Sequence, residues 1–148
     1  MSAQSLFLAV ALAAGVALSI QTSVNARLGT VLGSPVFASL LSFLVGTAAL
    51  ALVSLATGAR PRAGAFGLVP WWAWTGGFLG AWFVYAAVQV TPRIGPALFL
   101  GLVVAGQMAG AIALEHFGAL GLARHPATPL RMLGAALLVA GVVLVRRG

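Results

Sequence analysis

Five long apolar runs dominate this sequence, and they restrict the chain to a membrane-spanning helical fold. The runs cover about residues 5–28, 35–56, 70–90, 96–117 and 129–145. At about 1.5 Å per residue, an α-helix of each length can cross roughly 30 Å of hydrocarbon with some variation in tilt. The connections between the runs are too short for a soluble domain. The sequence therefore predicts an all-α, polytopic bundle of five transmembrane helices that forms a single domain over residues 1–148.

The composition excludes most other classes of protein. Hydrophobic residues make up 61% of the chain and charged residues only 6%, whereas a soluble domain has about 25% charged residues. Eight arginines against one glutamate give a net charge of +7, but the arginines stand singly or in pairs between the runs, which is typical of membrane flanks and not of a nucleic-acid interface. The absence of cysteine excludes disulfides. No motif indicates an enzyme, a cofactor or a metal site.

Several helix starts are marked in the sequence. Four of the five runs begin at a proline, which has no backbone N–H to leave unpaired. Ser34 and Thr128 precede two of these prolines and are predicted N-caps. Trp71, Trp72 and Trp74 at the start of the third run are typical of an interfacial anchor.

The arginines are divided evenly between the two sides of the predicted bundle. One side has Arg60, Arg62, Arg124 and Arg131, and the other has Arg27, Arg93, Arg146 and Arg147. Because Lys/Arg bias sets orientation in bacterial membranes, a chain without bias has little reason to prefer one orientation. We therefore expect dual topology, with opposite copies paired as an antiparallel homodimer that forms an inverted repeat. The alternative is that the equal numbers of arginines on the two sides are accidental.

The first run contains unusual polar residues near its end. Gln21 and Asn25 are four residues apart and share one helix face, whereas Arg27 points elsewhere and is interpreted as a snorkelling residue. The two amides need hydrogen-bond partners away from water. They either join helices or line a cavity, and both interpretations place them inside the bundle.

The third run has an aromatic face and a face of small residues. The aromatic face combines rings with an amide at helical spacing: Phe78, Trp82, Tyr85 and Gln89. The opposite face has small residues that allow close packing: Gly76, Gly80 and Ala87. The aromatic face either fills space against lipid and core or forms a wall for a small organic ligand, with the Tyr85 hydroxyl as an orienting group.

The remaining candidate residues lie in the second, fourth and fifth runs. Gln107 lies at mid-span, where an amide needs a partner or a wet cavity, and Ser42 is a further polar candidate. Gly106 and Gly110 form a GxxxG motif, and Gly134 and Gly141 suit a helix–helix seam, for which the dimer contact is one candidate.

The only acid in the chain is Glu115, near the end of the fourth run. The simplest interpretation is a structural ion pair with a neighbouring arginine or with His116. The alternative is a role in proton coupling.

The order and spacing of short motifs resemble a known group of proteins. The chain is similar to the short, single-domain members of the YdcZ-like branch of the drug/metabolite transporter superfamily. The resemblance extends over almost the whole chain and rests on six motifs: Gln21-x-x-x-Asn25-Ala26-Arg27-Leu28-Gly29, Ser42-Phe43-x-x-Gly46, Gly76-Gly77-x-x-Gly80, Gly106-Gln107, His116-Phe117-Gly118 and Arg131-x-x-Gly134. It implies a five-helix unit that acts as an antiparallel pair.

One departure from a neighbouring branch bears on the solute. The small multidrug resistance proteins resemble this architecture but use a glutamate in their first helix for proton and cation exchange. The first run here has amides instead, which cannot release a proton in such a cycle. A neutral or anionic solute is therefore favoured.

These observations together predict a transporter subunit of the bacterial inner membrane that works by alternating access and binds a small organic solute. The predicted binding residues are Gln21, Asn25, Ser42, Trp82, Tyr85 and Gln107. Two alternatives stay open: a membrane scaffold or partner subunit that does not transport, and a proton-coupled cation exporter that uses Glu115.

Overall fold

A computed structural model of the protein describes residues 3–148, and this part of the chain is helical with no strands. Its five α-helices are α1 (Ala3–Leu32), α2 (Pro35–Thr57), α3 (Thr75–Ile94), α4 (Pro96–Phe117) and α5 (Pro129–Arg147). All of them except α3 are long and apolar enough to cross a membrane. The all-helical, membrane-spanning class is thus confirmed, while the count of five spans stays a prediction.

The helix ends follow the capping chemistry of the sequence. The Ser34 hydroxyl accepts a hydrogen bond from the backbone N–H of Phe37 at 3.3 Å, and Thr128 caps Arg131 at the same distance. Both predicted N-caps are confirmed. At the other end of α2, Gly58 adopts the left-handed conformation with φ 66°, which favours glycine because it has no Cβ.

The α-helix of the third run begins five residues after the predicted start of the run at Pro70. Pro70 is extended and precedes a short 3-10 helix, Trp71–Trp74, so that α3 begins only at Thr75 and continues to Ile94. Tryptophan has a lower helix propensity than leucine or alanine, and a tighter 3-10 turn is common at a helix N-terminus. The Thr75 hydroxyl donates to the carbonyl of Trp72 at 2.6 Å and closes this turn.

The helices fall into two compact units, and the first, which extends to Arg93, contains α1, α2 and α3. A two-residue connection joins α1 to α2, and the helices pack against each other. Ala38 on α2 and Val84 and Val88 on α3 form the buried core of this unit, with Leu28 of α1 against them.

Close approach of α1 and α3 depends on Gly29. A Cβ atom at this position would lie 2.2 Å from Cγ1 of Val88, which is far inside the contact distance of two carbon atoms. Only glycine therefore fits where these two helices meet.

The second unit, Ile94–Gly148, contains α4 and α5. A Cβ atom on Gly101 would lie 3.0 Å from Cγ2 of Val142, so the two helices approach closely at this glycine. Glu115 near the end of α4 contacts Arg131 near the start of α5. Because the order of these two contacts is reversed along the helices, α4 and α5 are antiparallel.

The outer surfaces of the helices are apolar. Large side chains such as Leu12, Leu55 and Leu137 are more than 60% exposed. Apolar surface on this scale is compatible with lipid as the surrounding medium and not with water.

Candidate functional site

Polar side chains are buried in the first unit, where lipid offers them no partners. Four such residues lie in the described part of this unit: Thr22, Asn25, Ser39 and Thr91. The hydroxyls of Thr22 and Ser39 donate to carbonyls of their own helices at 2.8 Å. Because they are satisfied locally, these two hydroxyls do not select a partner on another helix.

Asn25 joins α1 to α2. Its Nδ2 donates to the Ser42 hydroxyl at 3.0 Å, and the Asn25 side chain is 6% exposed. An amide has two N–H donors and an acceptor oxygen, and a hydroxyl has a proton of its own to donate. The pair therefore keeps hydrogen-bonding capacity beyond the bond between its members.

A pocket of about 210 Å³ opens beside this pair, between α1 and α2. Its polar lining consists of Gln21, Ser42 and Thr47, and Phe43 and Leu50 supply apolar walls. Gln21 lies one helical turn before Asn25, which places it on the same face of α1. The structure thus brings together three of the predicted binding residues: Gln21, Asn25 and Ser42.

Gly46 also lines the pocket, and a Cβ atom at this position would meet nothing within 4 Å. It lies four residues after Ser42 on the same face of α2. The missing side chain leaves room beside the hydroxyl, so this glycine sets the size of the pocket. The sequence analysis included Ser42 and Gly46 in one motif but did not identify Thr47, which has no signal beyond its hydroxyl.

The lining of the pocket has no ionisable side chain, because its six residues are Gln21, Ser42, Phe43, Gly46, Thr47 and Leu50. Amide and hydroxyl groups donate and accept hydrogen bonds without a change of charge. No general base lies beside the Ser42 hydroxyl in this lining, so the arrangement suits binding and not nucleophilic catalysis.

A second polar group lies on α3. Nε2 of Gln89 donates to the Tyr85 hydroxyl at 3.0 Å, and the ring centroids of Trp82 and Tyr85 are 6.1 Å apart with an interplanar angle of 37°. Trp82 is 63% exposed, whereas Tyr85 and Gln89 are half-buried. The predicted combination of rings and amide is therefore a contiguous surface, which we call the aromatic face of α3.

The aromatic face does not line the pocket between α1 and α2. The side of α3 that packs against those helices contains Val84, Val88 and Gly80, where a Cβ atom would lie 3.6 Å from the Phe43 ring. At 100° per residue, Trp82 and Tyr85 point about 140–160° away from Gly80. Within the first unit, the predicted binding residues thus form two separate groups.

The glycines expected at helix seams lie elsewhere. Cβ atoms added to Gly106, Gly110, Gly134 or Gly141 would meet nothing within 4 Å, so none of them mediates the contact between α4 and α5. Their role in a dimer contact stays a prediction. Gln107 is also exposed on α4. The glycines at close contacts are Gly29 and Gly101, which the sequence analysis did not select as packing residues. Gly29 has GxxxG spacing with Gly33, whereas no such spacing marks Gly101.

Glu115 forms an ion pair with Arg131, which agrees with the structural interpretation of this residue. Arg131 also donates to the carbonyl of His125 at 3.2 Å, and the His125 N–H donates to the carbonyl of Glu115 at 2.9 Å. These bonds tie the end of α4 to the start of α5, and they leave the carboxylate engaged with a cation.

The same junction contains the two histidines of the chain. Nδ1 of His116 accepts a hydrogen bond from the backbone N–H of Ala127 at 3.1 Å, and Arg124 donates to the carbonyl of His116 at 3.0 Å. Among the described residues, no group of three or more His, Cys, Asp or Glu side chains could hold a metal ion. The junction is therefore a structural clamp of helix ends.

The chain is similar to known proteins over almost its whole length. Residues 6–144 match the model of the DMT_YdcZ family, which is described as "Putative inner membrane exporter, YdcZ". The chain is 35% identical over 152 aligned positions to "Inner membrane protein YdcZ" of Escherichia coli (strain K12), and the alignment covers 97% of each chain. No solved structure matches the chain.

Proposed function

Because this chain belongs to the DMT_YdcZ family, we propose that it is a transporter subunit that moves a small organic solute across the bacterial inner membrane. The match over almost the whole chain supports a multi-pass inner-membrane protein, and a family described as an exporter is one of transporters, not enzymes. Beyond membership of this family, we propose the binding residues of the chain, the class of its solute and its assembly.

The observation that supports it most directly is the pocket beside the Asn25–Ser42 pair. A transport site needs polar groups at membrane depth that exchange hydrogen bonds between protein and solute. The 3.0 Å bond joins two helices, and Gln21 and Thr47 add further donors and acceptors at the same cleft. Solute that enters this cleft replaces the hydrogen bonds to water that it loses on leaving solution.

A neutral or anionic solute suits this lining. No acid lies on α1, α2 or α3, because Glu115 is the only acid in the chain and lies on α4. A cation in the pocket would thus have no carboxylate to offset the loss of its hydration. The ion pair between Glu115 and Arg131 counts against the proton-coupled cation exporter.

Two copies in opposite orientations complete the proposed site. The aromatic face of α3 turns away from the pocket of its own chain, and Trp82 is 63% exposed. A partner copy that packs on this face gives Trp82 and Tyr85 a ligand or a protein surface to contact. The equal arginine counts support an antiparallel homodimer, in which inverted repeats work by alternating access.

The proposal requires α3 to be a fifth span. Its glycines, aromatic rings and Gln89 lower its hydropathy, but such residues are common in transmembrane helices at interfaces and cavities. With the preceding 3-10 helix, the helical stretch from Trp71 to Ile94 is long enough to cross the hydrocarbon.

The scaffold alternative rests on the same bond, because Asn25 and Ser42 also hold two helices together. It differs in what it requires of the pocket. A scaffold needs no vacant space beside the pair, whereas Gly46 keeps space open there.

A binding screen with a matched pair of glycine variants tests the proposal. The purified dimer is titrated with anionic, neutral and cationic small organic compounds, and binding is measured by calorimetry. Gly46→Leu fills the pocket and should abolish binding of a hit, whereas Gly15→Leu, at another helical glycine with nothing within 4 Å, should bind normally. Trp82→Ala should weaken binding by about 1 kcal/mol, while Trp71→Ala, at a ring that is also exposed, should not.

Three outcomes would contradict the proposal. If Gly46→Leu binds the hit normally, the pocket is not the site. If only cationic compounds bind, the solute class is wrong. If a screen that covers all three classes finds no ligand, the scaffold is favoured.

A further inference from the structure

A larger apolar groove lies between α4 and α5, in the second unit. Its volume is about 380 Å³. One side is formed by Leu98, Leu102 and Ala105, whose spacing of four and three residues places them on one face of α4, and Ile94, the last residue of α3, lies at one end of the groove. The groove is separate from the pocket between α1 and α2, and its α4 wall has no polar side chain.

The α5 side of the groove is apolar over most of its length and basic at one end. Val139, Val142 and Val143 form an aliphatic wall, and Arg146 follows one turn later on the same face. Because α4 and α5 are antiparallel, Arg146 lies at the same end of the groove as Ile94. The groove is thus aliphatic over most of its length and basic at one end.

The groove is shorter than one leaflet of a bilayer. Leu98 and Ala105 on α4 are seven residues apart, as are Val139 and Arg146 on α5, which corresponds to about 10 Å along each helix. Half of the hydrocarbon core is about 15 Å thick. With Arg146 at the membrane surface, where a snorkelling arginine belongs, the groove lies within one leaflet.

The basic end offers two cations without a carboxylate partner. A neighbouring pocket of about 500 Å³ is lined by Val143, Arg146 and Arg147, and it shares the first two of these residues with the groove. The only acidic side chain in the sequence, Glu115, is paired with Arg131 at the opposite end of the two helices. Arg146 and Arg147 are therefore available to an anion from outside the chain.

We propose that this groove binds an anionic phospholipid, with one acyl chain between α4 and α5 and the phosphate on Arg146 and Arg147. An acyl chain matches the aliphatic lining within one leaflet, and arginine guanidinium groups suit phosphate oxygens. A small polar solute would find no group in the aliphatic part to orient it. A second copy of the chain would bring no free carboxylate to the arginines, because its only acid forms the same ion pair.

Native mass spectrometry of the full-length protein in a mild non-ionic detergent tests this site. The protein is incubated with phosphatidylglycerol or with phosphatidylcholine of identical acyl chains. We expect the anionic lipid to be retained about fivefold more strongly, since one basic residue near the surface contributes about that factor. Arg146→Gln/Arg147→Gln should remove this preference, and Ala105→Phe, which fills the inner end of the groove, should reduce retention without any change of charge.

Arg60→Gln/Arg62→Gln is the matched control. It removes the same two charges from the loop between α2 and α3 and should leave lipid retention unchanged. Equal loss in the two double variants would overturn the proposal in favour of general surface charge, as would equal retention of the two lipids. Normal retention by Ala105→Phe, or displacement of the lipid by inorganic phosphate alone, would exclude the acyl-chain site. If Ala105→Phe instead dissociates the dimer with lipid retention intact, the groove belongs to a second copy and the proposal is wrong.

Discussion

Asn25 on α1 donates from Nδ2 to the hydroxyl of Ser42 on α2, with 3.0 Å between the two atoms. This bond is the point at which the polar residues of the first helix meet those of the second. The Asn25 side chain is buried, while Gln21 one turn earlier is exposed to the pocket. The pair thus combines a structural bond with a binding surface.

Replacement of Asn25 by alanine should weaken solute binding by about 1 kcal/mol or more, because it removes an amide that also orients the Ser42 hydroxyl. Calorimetric titration of Asn25→Ala, Ser42→Ala and the double variant gives the coupling energy, which we expect to be about 0.5–3 kcal/mol for groups in contact. Ser23→Ala is the control, because that exposed hydroxyl bonds only to the carbonyl of Ser19 in its own helix. Additive effects of the two single variants would show that the pair does not act as a unit.

Replacement of Gly29 by alanine should destabilise the protein by about 1–3 kcal/mol, the usual cost of overpacking. The added methyl group would overlap Cγ1 of Val88, which lies 2.2 Å from its position. Thermal unfolding followed by circular dichroism in detergent measures the effect. Val88→Ala in the Gly29→Ala background should restore part of the lost stability.

Gly15→Ala is the matched control for this test, since a Cβ atom there meets nothing within 4 Å. It should raise the melting temperature slightly or leave it unchanged, because alanine is the better helix former. A melting temperature for Gly29→Ala at or above that of the unmodified protein would show that α1 and α3 are not in contact at this position.

Replacement of Glu115 by glutamine should preserve solute binding and transport, because the carboxylate is engaged with Arg131 in the clamp between α4 and α5. A modest fall in melting temperature is expected, since a partly exposed ion pair contributes about 0–1 kcal/mol. Uptake into proteoliposomes, with and without a proton gradient, is the measurement. Loss of gradient-driven uptake in this variant at an intact fold would instead support the proton-coupled alternative.

A reporter fused to the C-terminus should appear on both sides of the inner membrane, because four arginines flank each face of the predicted bundle. Paired fusions to alkaline phosphatase and to a fluorescent protein measure the two populations in cells. Arg60→Gln/Arg62→Gln leaves two arginines against four and should shift most copies to the orientation with Arg146 and Arg147 in the cytoplasm. Activity of only one fusion in the unmodified protein would contradict dual topology.

The helices themselves follow closely from local sequence. The bounds of α4 agree with its predicted run, and Ser34 and Thr128 cap α2 and α5 as expected. Capping and the preference of proline for the first turn of a helix are interactions between near neighbours, so the sequence alone contains the necessary information. The start of α3 is the exception, because three tryptophans in four residues favour a 3-10 turn before the α-helix.

The membrane environment was also determined by the sequence, because it depends on composition and on the length of the apolar runs. The helical period further placed Gln21 with Asn25 and Trp82 with Tyr85, since a period of 3.6 residues defines which side chains share a face. The helical period does not determine which other helix that face contacts. For the same reason, the exposed GxxxG glycines were predicted at a seam while Gly29 and Gly101 were overlooked.

Only the tertiary structure paired Asn25 with Ser42, opened the pocket at Gly46 and turned the aromatic face of α3 away from it. These relationships join residues that are distant in the chain, and they depend on how closely two backbones approach. That distance is set by single atoms, such as the missing Cβ of Gly29 against Cγ1 of Val88. Local sequence specifies each helix and its faces, whereas the choice of partner for each face is decided by packing.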